Sequence, residues 1–197
     1  MRLAPGERLP TAFYDRPVVD VARDLIGCTL SHQSTSGRIV ETEAYHPSEP
    51  ASHGFAGETV RNAALFGPPG RAYVYFSYGM HTLFNAVAEP AGVGAGVLIR
   101  ALEPTDGIAL MRERRGVEHE RQLCSGPGKL AQALAITLDD NGSSLTEGSI
   151  GIFAPLESSS DLEIYTSPRI GISKATELQW RFYAHENEHI SGPRRST

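Results

Sequence analysis

The sequence predicts an α+β protein: a single domain over residues 1–197, with a curved, mostly antiparallel β-sheet, flanking helices and a protruding β-hairpin. The 197 residues are enough for one well-buried core, and 40% hydrophobic with 21% charged residues is an ordinary globular composition. Twenty glycines and 13 prolines indicate many turns. No internal repeat or low-complexity tract divides the chain. We expect fraying only at the two termini.

The first predicted element is a helix in DRPVVDVARDLIGC. Asp15 is a candidate N-cap, and Gly27 is a typical stop signal. Between them runs an apolar stripe with helical spacing: Val18, Val21, Ala22, Leu25 and Ile26.

The second element is a strand in SGRIVETEAY. Side chains two residues apart share a strand face, so Glu41, Glu43 and Tyr45 are expected on one side. If that face lines a pocket, partial desolvation would tune Glu43 as a general base. If it faces solvent, the glutamates only keep a strand edge soluble. The strand alone leaves both interpretations open.

The remaining elements alternate between strands, loops and short helices. Residues 46–71 predict a long irregular segment, and such loops are more often functional than accidental. Residues 73–88 predict a hairpin whose turn, 77–80, has Gly79 at positive φ. Then follow the strand GVLIRALEP, a helix over about 105–115, a Gly-Pro turn into a second helix in LCSGPGKLAQALAI, an acidic outer hairpin over 139–164, and strand character near Ile170.

The charge distribution neither supports nor excludes a nucleic-acid partner. The formal net charge is −5, but residues 130–168 contain six acids and no lysine or arginine. Without those six acids the chain has 18 basic and 17 acidic residues. One segment therefore carries the whole acidic excess, and the remainder can still present a basic face.

Several classes of protein are disfavoured. No apolar run resembles a signal peptide or approaches 18 residues, so we expect a cytoplasmic protein with no membrane association. Cys28 and Cys124 have no CxxC partner, which disfavours a disulfide framework or a cysteine zinc site. Glu43, His46 and His53 lack metal-ligand spacing, so no metal is expected.

The segment SGPGKL is similar to a phosphate-binding loop but lacks its first glycine and its final Ser or Thr. The alternative is a helix N-terminus that binds one backbone phosphate with the help of Ser125 and Lys129. Ser125 could equally be only an N-cap.

Aromatic residues are concentrated near the candidate acid. Tyr45, Tyr73 and Tyr75, with His53, would suit a cleft that stacks a flat ring, although tyrosine-rich strands also pack in ordinary cores. Tyr78 fits core packing least, because it is predicted at the tip of a tight turn. An aromatic side chain there is typical of a wedge between DNA bases.

Several blocks of sequence in consistent order resemble one family over about residues 15–184. The blocks are GRIVETEAY, His53, Arg61-Asn62, YVYFSYGM, Asn85, VLIRALEP, LCSGPGKL and PRIGI…WRFY. They are similar to the alkyladenine (3-methyladenine) DNA glycosylases of the purine DNA glycosylase family. The resemblance implies a monofunctional enzyme that flips a damaged purine out of duplex DNA and hydrolyses its N-glycosidic bond. It implies no cofactor or metal, and a monomer whose partner is double-stranded DNA.

The resemblance also implies roles for the reacting centre. Glu43 is expected to be the general base that activates a water for attack at C1′. Arg100 would help to hold this water and the nearby phosphate, and Ile170 would contribute a backbone carbonyl. Asn85 would reject guanine by crowding its 2-amino group.

Two further groups of residues have implied roles in recognition. Tyr45, His53 and Tyr75 match the walls between which the flipped base stacks. The hairpin turn would enter the gap left in the duplex, through Tyr78 with Gly79 and Met80. The pocket motifs contain no lysine, so we expect no Schiff-base lyase step; the chain has only Lys129 and Lys174.

The sequence departs from the family where Glu58 stands in a loop that is often more basic. Two other functions stay open. One is a catalytically silent nucleic-acid-binding module, which would not need Glu43. The other is a hydrolase of a different glycosidic bond that uses Glu41 and Glu43 as a pair, since such strand positions lie about 6.5–7 Å apart. The preferred lesion among methylated adenine, hypoxanthine and etheno adducts is not determined.

Overall fold

The computed structural model describes residues 3–77, 79–156 and 162–192. Its described strands form one eight-stranded sheet in which every pairing is antiparallel. The strands are β1 Thr29–His32, β2 Thr35–Tyr45, β3 Ala72–Ser77, β4 His81–Ala88, β5 Ala95–Asp106, β6 Ile150–Phe153, β7 Ile164–Ser167 and β8 Arg181–Ala184. The helices are α1 Thr11–Tyr14, α2 Val18–Asp24, α3 Ile108–Arg115 and α4 Pro127–Ala133, with 3₁₀ turns at Ala63–Phe66, Glu120–Gln122 and Leu138–Asp140. The predicted α+β class and curved antiparallel sheet are confirmed, whereas the protrusion of the hairpin stays a prediction.

The long strand β2 organises the sheet. The strand order is β3-β4-β5-β2-β1-β6, and β8 pairs with both β2 and β7. The first half of β2 pairs with β1, and residues 41–43 pair with β8 instead. The strand β5 follows the other side of β2, with register shifts on either side of Glu41. These irregularities let one strand change partners midway, which curves the sheet.

The two faces of the sheet have different roles. The helices α2 and α4 pack against β2, β4 and β5, where the apolar core includes Ala44, Phe84 and Ile99. Residues one position along these strands, such as Asn85 and Arg100, line a cavity instead. This alternation follows from the two-residue period of a strand.

The helix α2 contains the first three residues of the predicted apolar stripe, and Leu25 and Ile26 follow its end; all five are buried, but the N-cap was predicted wrongly. Asp15 ends α1, and α2 follows Pro17 without a side-chain cap from Asp15. The N–H of Val18 donates to Oε1 of Glu89 at 2.8 Å. The donor is therefore satisfied by a residue distant in sequence, which a local capping pattern does not reveal.

The predicted hairpin over 73–88 is present as paired β3 and β4, but the acidic hairpin over 139–164 is wrong. The strand β6 pairs with β1, and β7 pairs with β8, so they lie at different edges of the sheet. Strand character near Ile170 is also wrong, because β7 ends at Ser167 and Ile170 lies in a bend. The C-terminal segment is ordered through Ile190, which joins the apolar core.

Burial of Glu41 requires a charged network behind the sheet. Glu41 is 0% exposed, so the interpretation of a solvent-facing strand edge is wrong. Its Oε1 accepts from Nε of Arg100 at 3.1 Å and from Nε of Arg181 at 2.7 Å, and its Oε2 accepts from the N–H of Ser191. Two guanidinium groups and a backbone donor offset the desolvation of the carboxylate. Glu41 thus ties β2 to β5, β8 and the C-terminal segment.

Replacing Glu41 with alanine should lower the free energy of unfolding by about 3–5 kcal/mol, because removing one partner of a buried pair leaves the other charges without compensation. Urea denaturation at pH 7 measures the change. Glu103→Ala is the matched control, since Glu103 pairs with Arg38 at 2.6 Å in a partly exposed position. It should cost about 1 kcal/mol or less. Equal losses in the two variants would contradict the structural role of Glu41.

Candidate active site

The carboxylate of Glu43 accepts three hydrogen bonds and is completely buried. Its Oε1 accepts from the N–H of Ile170 at 2.7 Å. Its Oε2 accepts from the hydroxyl of Tyr45 at 2.9 Å and from Nη1 of Arg100 at 3.1 Å. All three neighbours are donors, so the arrangement fits an ionised carboxylate, which only accepts.

Arg100 joins the two glutamates of β2. Besides Glu41 and Glu43, its guanidinium group contacts Oγ of Ser191 through Nε at 3.2 Å and Nη2 at 3.0 Å. Burial disfavours the charge, but the carboxylates of Glu43 and Glu41 outweigh it and raise the pKa of Arg100. Arg100 is therefore a fixed cation between two fixed anions.

Tyr45 is held as a neutral phenol beside Glu43. Burial, and then the charge of Glu43, raise the pKa of Tyr45, so its hydroxyl keeps the proton that it donates. Behind the ring lies the guanidinium carbon of Arg169, 4.6 Å from the Tyr45 centroid and 5.4 Å from that of Trp180. Nη1 of Arg169 also donates to Glu49 at 2.6 Å. This sandwich fixes the orientation of Tyr45.

A cavity of about 590 Å³ opens in front of these groups. Tyr45, Arg100 and Ile170 line it, whereas Glu43 lies fully buried behind them. The size is within the usual range for small-molecule pockets. Its other lining residues are Pro50, Ala51, Ser52, His53, Leu65, Tyr73, Tyr75, Ser77, Leu83, Asn85, Gly96, Leu98, Pro127, Gly171, Ile172, Ser173 and Lys174.

Three aromatic rings form one wall of this cavity. Tyr73 and Tyr75 stack with centroids 5.3 Å apart, and His53 meets Tyr75 edge-on at 4.6 Å. Nδ1 of His53 is 3.0 Å from the hydroxyl of Tyr73. Partial burial of the ring, and then the charge of Arg61, lower the pKa of His53, which favours a neutral imidazole at pH 7. The core-packing alternative holds in part for Tyr73, which is buried but still reaches the cavity.

The loop that carries His53 is ordered by Asn62. Nδ2 of Asn62 donates to the carbonyl oxygens of His53 at 2.9 Å and Gly57 at 3.1 Å. A side chain at Gly54 would place its Cβ 2.3 Å from the carbonyl oxygen of Gly94, so only glycine allows this approach. The part of the predicted irregular segment that carries His53 is therefore an ordered wall of the cavity.

Asn85 lies at the cavity floor on β4. It is buried, and its Nδ2 donates to the carbonyl oxygen of Tyr73 at 3.0 Å. This bond ties the side chain to the neighbouring strand and fixes its position at the cavity surface.

Gly79 and Met80, which are predicted to contact DNA, do not line the cavity, although its lining reaches the start of the turn at Ser77. Tyr78 lies outside the described residues. Gly79 has φ of 67°, as the turn prediction requires, and Met80 is 70% exposed. The neighbouring Phe76 is also exposed.

The N-cap interpretation of Ser125 is wrong. Helix α4 is preceded by Gly126 and starts at Pro127, which lines the cavity. Oγ of Ser125 instead accepts from Nζ of Lys129 at 3.3 Å. Gly128 packs against His81, where an added Cβ would lie 3.1 Å from the His81 side chain, so α4 sits directly against the start of β4.

Sequence reasoning missed three basic or polar groups. Lys174 lines the cavity, so the expectation of a pocket without lysine is wrong. Arg169 supports Tyr45, and Ser191 contacts Arg100. Lys174 was detectable, because it follows Ile170 by four residues in the same block; Ser191 was not, because no local pattern joins it to β5.

Two negative findings concern the described part of the chain. No helix there has the length and apolar character needed to cross a membrane. Nor do three or more His, Cys, Asp or Glu side chains within residues 3–77, 79–156 and 162–192 come together in a way that could hold a metal ion.

Comparison with known proteins places these features in a family. The family described as methylpurine-DNA glycosylase (MPG) matches residues 12–188. A protein of Rhodopseudomonas palustris is 54% identical over 188 residues, which cover 95% of this chain and 92% of the relative. A Nitrosospira multiformis protein is 50% identical, covering 93% and 94% of the two chains, and a Methanoculleus marisnigri protein is 48% identical, covering 93% and 98%. All three carry the provisional name 3-methyladenine DNA glycosylase. Because both the family match and the relatives span nearly the whole chain, this protein belongs to the methylpurine-DNA glycosylase family, whose members hydrolyse N-glycosyl bonds.

Proposed function

We propose that this protein removes damaged purines from duplex DNA by flipping the nucleotide into the cavity and hydrolysing its N-glycosidic bond with a water activated by Glu43. The observation that carries the proposal is a buried carboxylate with three donors directly behind an aromatic-walled cavity. The carboxylate supplies the chemistry, and the aromatic wall supplies the recognition.

The water oxygen forms a bond to C1′ while the bond from C1′ to the purine nitrogen breaks and its electron pair leaves with the base. The water proton passes to Glu43, which returns it to solvent. A cationic base leaves as a neutral molecule, whereas a neutral base such as hypoxanthine leaves as an anion that takes a proton from solvent. Arg100, Tyr45 and the N–H of Ile170 keep the carboxylate ionised and oriented before reaction.

An alkylated purine stacks well on aromatic rings and is a good leaving group, and these two properties explain why a single carboxylate is enough for catalysis. Alkylation at a ring nitrogen makes a purine cationic, so the base leaves as a neutral molecule. Electron-rich rings at Tyr45 and Tyr75 favour such a cation, and a neutral His53 does not repel it. Asn85, whose Nδ2 donates to the carbonyl oxygen of Tyr73, would exclude a 2-amino group by crowding it.

The two alternative functions are less well supported. A module that only binds DNA would not need a buried carboxylate, held by three donors, next to the site where the polyanionic DNA binds. A second glycosidic hydrolase would need Glu41 as a partner, but of the donors to Glu41 only Arg100 lines the cavity, whereas all three donors to Glu43 line it. This difference favours Glu43 over Glu41 for the catalytic role.

The partner on this proposal is double-stranded DNA that contains a damaged purine. Methylated adenine, hypoxanthine and etheno adducts all fit the proposed stacking mode. The hairpin turn with Met80, and Ser125 with Lys129 near the start of α4, would contact the duplex. A monomeric state and a cytoplasmic location stay predictions from the sequence.

Glu43→Gln should lower the single-turnover rate of base release by about 10²–10⁴-fold, because the variant cannot accept the proton of the water. Labelled duplexes with one hypoxanthine or ethenoadenine, treated with hot alkali after reaction, measure abasic-site formation. Binding of the lesion duplex should change little.

Glu103→Gln is the matched control, since it makes the same change on a glutamate whose partner is Arg38. Cleavage by Glu43→Gln at the wild-type rate would refute the proposed base. Tight binding of duplex without cleavage of any lesion by the wild type would favour the binding module.

The wild-type product should be an intact strand with an abasic site, although Lys174 lines the cavity. Lys174 is exposed, and the proposed nucleophile is a water activated by Glu43, so the step forms no covalent bond between the protein and C1′. Borohydride added during reaction should therefore trap no protein–DNA adduct. An adduct that is retained by Lys129→Ala and lost by Lys174→Ala would establish a lyase activity instead.

Acidification should selectively slow removal of cationic bases. The folded environment lowers the pKa of His53 below its ordinary value of 6.5, so protonation and repulsion of a cationic base should begin only below that pH. Release of 3-methyladenine from methylated DNA should then fall relative to release of hypoxanthine between pH 6.5 and 5. In His53→Gln the ratio should stay constant. A ratio independent of pH in the wild type would remove this role of His53.

A further inference from the structure

The C-terminal segment at residues 189–192 packs against the back of the active site. His189 and Ile190 are buried, and Ile190 belongs to the main apolar core. This anchor delivers Ser191 to the buried ionic cluster, where its N–H donates to Oε2 of Glu41 and its Oγ contacts Nε and Nη2 of Arg100. The expectation of a frayed C-terminus is therefore wrong as far as Gly192.

Two carboxylates compete for Arg100. A guanidinium group prefers a bidentate pair, in which two parallel N–H bonds meet both oxygens of one carboxylate. Oε1 of Glu41 already accepts from Nε of Arg100 at 3.1 Å. The N–H of Ser191 occupies Oε2 of Glu41, and the Ser191 hydroxyl engages Nη2. A bidentate pair with Glu41 is thereby blocked, and Nη1 is left for Glu43 at 3.1 Å.

The next residue contacts a second donor to Glu43. A Cβ added at Gly192 would lie 2.1 Å from Cδ1 of Ile170 and 3.2 Å from Nη2 of Arg181. A side chain at position 192 would therefore displace the Ile170 side chain, and glycine lets the segment pack against Ile170, whose N–H donates to Oε1 of Glu43. Residues 191 and 192 thus contact two of the three groups that hold the carboxylate.

We propose that Ser191 and Gly192 are positioning residues of the active site: Ser191 prevents a bidentate pair between Arg100 and Glu41, which leaves Nη1 of Arg100 for Glu43, and Gly192 lets the segment pack against Ile170, whose N–H holds Glu43. This inference rests on the proposed role of Glu43 as the base. Neither residue touches the substrate on this proposal; both act through the donors that orient the carboxylate.

Ser191→Ala keeps the backbone N–H on Glu41 and deletes only the hydroxyl. The single-turnover rate should fall about tenfold, the factor expected when one hydrogen bond to a charged group is lost. Lesion-duplex affinity should be retained, because the cavity wall is unchanged. Ser191→Thr, which restores a hydroxyl, should recover most of the rate.

The pH profile separates positioning from a general loss of stability. Glu43 is faced by Glu41 and Tyr45 on β2, Arg100 on β5 and Arg181 on β8, with Arg169 behind Tyr45. If Arg100 turns toward Glu41 in Ser191→Ala, Glu43 loses its nearest cation. The acid limb of the rate should then move to higher pH, because Glu43 protonates more easily.

Ser167→Ala is the matched control. Oγ of Ser167 accepts from Nη1 of Arg181 at 2.8 Å, so the variant deletes the same kind of bond in the same cluster without touching Arg100. Ser167→Ala should not shift the acid limb of the pH–rate profile. Gly192→Ala should also slow cleavage, with thermal melting checked in parallel to show that the variant is folded.

The outcomes are distinguishable from failure of the proposed function. If the wild type does not release any damaged base, the function itself is wrong. If the wild type cleaves and Ser191→Ala has the same rate and acid limb, the positioning role is overturned while the function stands. Equal shifts of the acid limb in Ser191→Ala and Ser167→Ala would likewise overturn it, since the effect would then be general to the cluster.

Discussion

Burial of two glutamates on one strand is the constraint on which the rest of the structure depends. Glu41 and Glu43 are both fully buried in the strand β2, which pairs with β5 on one side and with β1 and then β8 on the other. Isolated carboxylates in such a position would be too costly to keep ionised. Arg100 on β5 and Arg181 on β8 supply the compensating charge. The strand order of the sheet and the chemistry of the site therefore follow from one electrostatic requirement.

The same pairing explains how an acidic protein can act on DNA. Two carboxylates and two guanidinium groups leave the buried cluster without formal net charge, so the site need not repel a phosphate backbone. Part of the acidic excess lies elsewhere and has local partners. Asp140 completes a capping box with Thr137 and lies 3.5 Å from His32, and Glu163 lies 3.4 Å from His185. The net charge of the whole chain therefore does not predict the electrostatic potential at the cavity.

The sequence could predict what depends on local periodicity. Residues two apart on a strand share a face, which was enough to group Glu43 with Tyr45 and to place the β3–β4 hairpin. It could not predict features that depend on distant pairing. The cap of α2 comes from Glu89, β6 and β7 join different edges, and Ser191 reaches Arg100 across 91 positions. Such contacts are set by how the sheet closes, and no window along the chain contains both partners.

The position of Glu43 behind the cavity wall, and not on it, fits the demands of the proposed reaction. A carboxylate open to solvent would be hydrated, and its charge would be screened from C1′. Three donors take the place of that water and leave one of about four lone-pair sites unused. The single remaining site is what a base needs to accept one proton from one water. The donors that offset the burial of Glu43 are therefore the same groups that orient its carboxylate. Arg169 behind Tyr45 and Ser191 beside Arg100 hold these donors in place, so they contribute to the proposed catalysis indirectly.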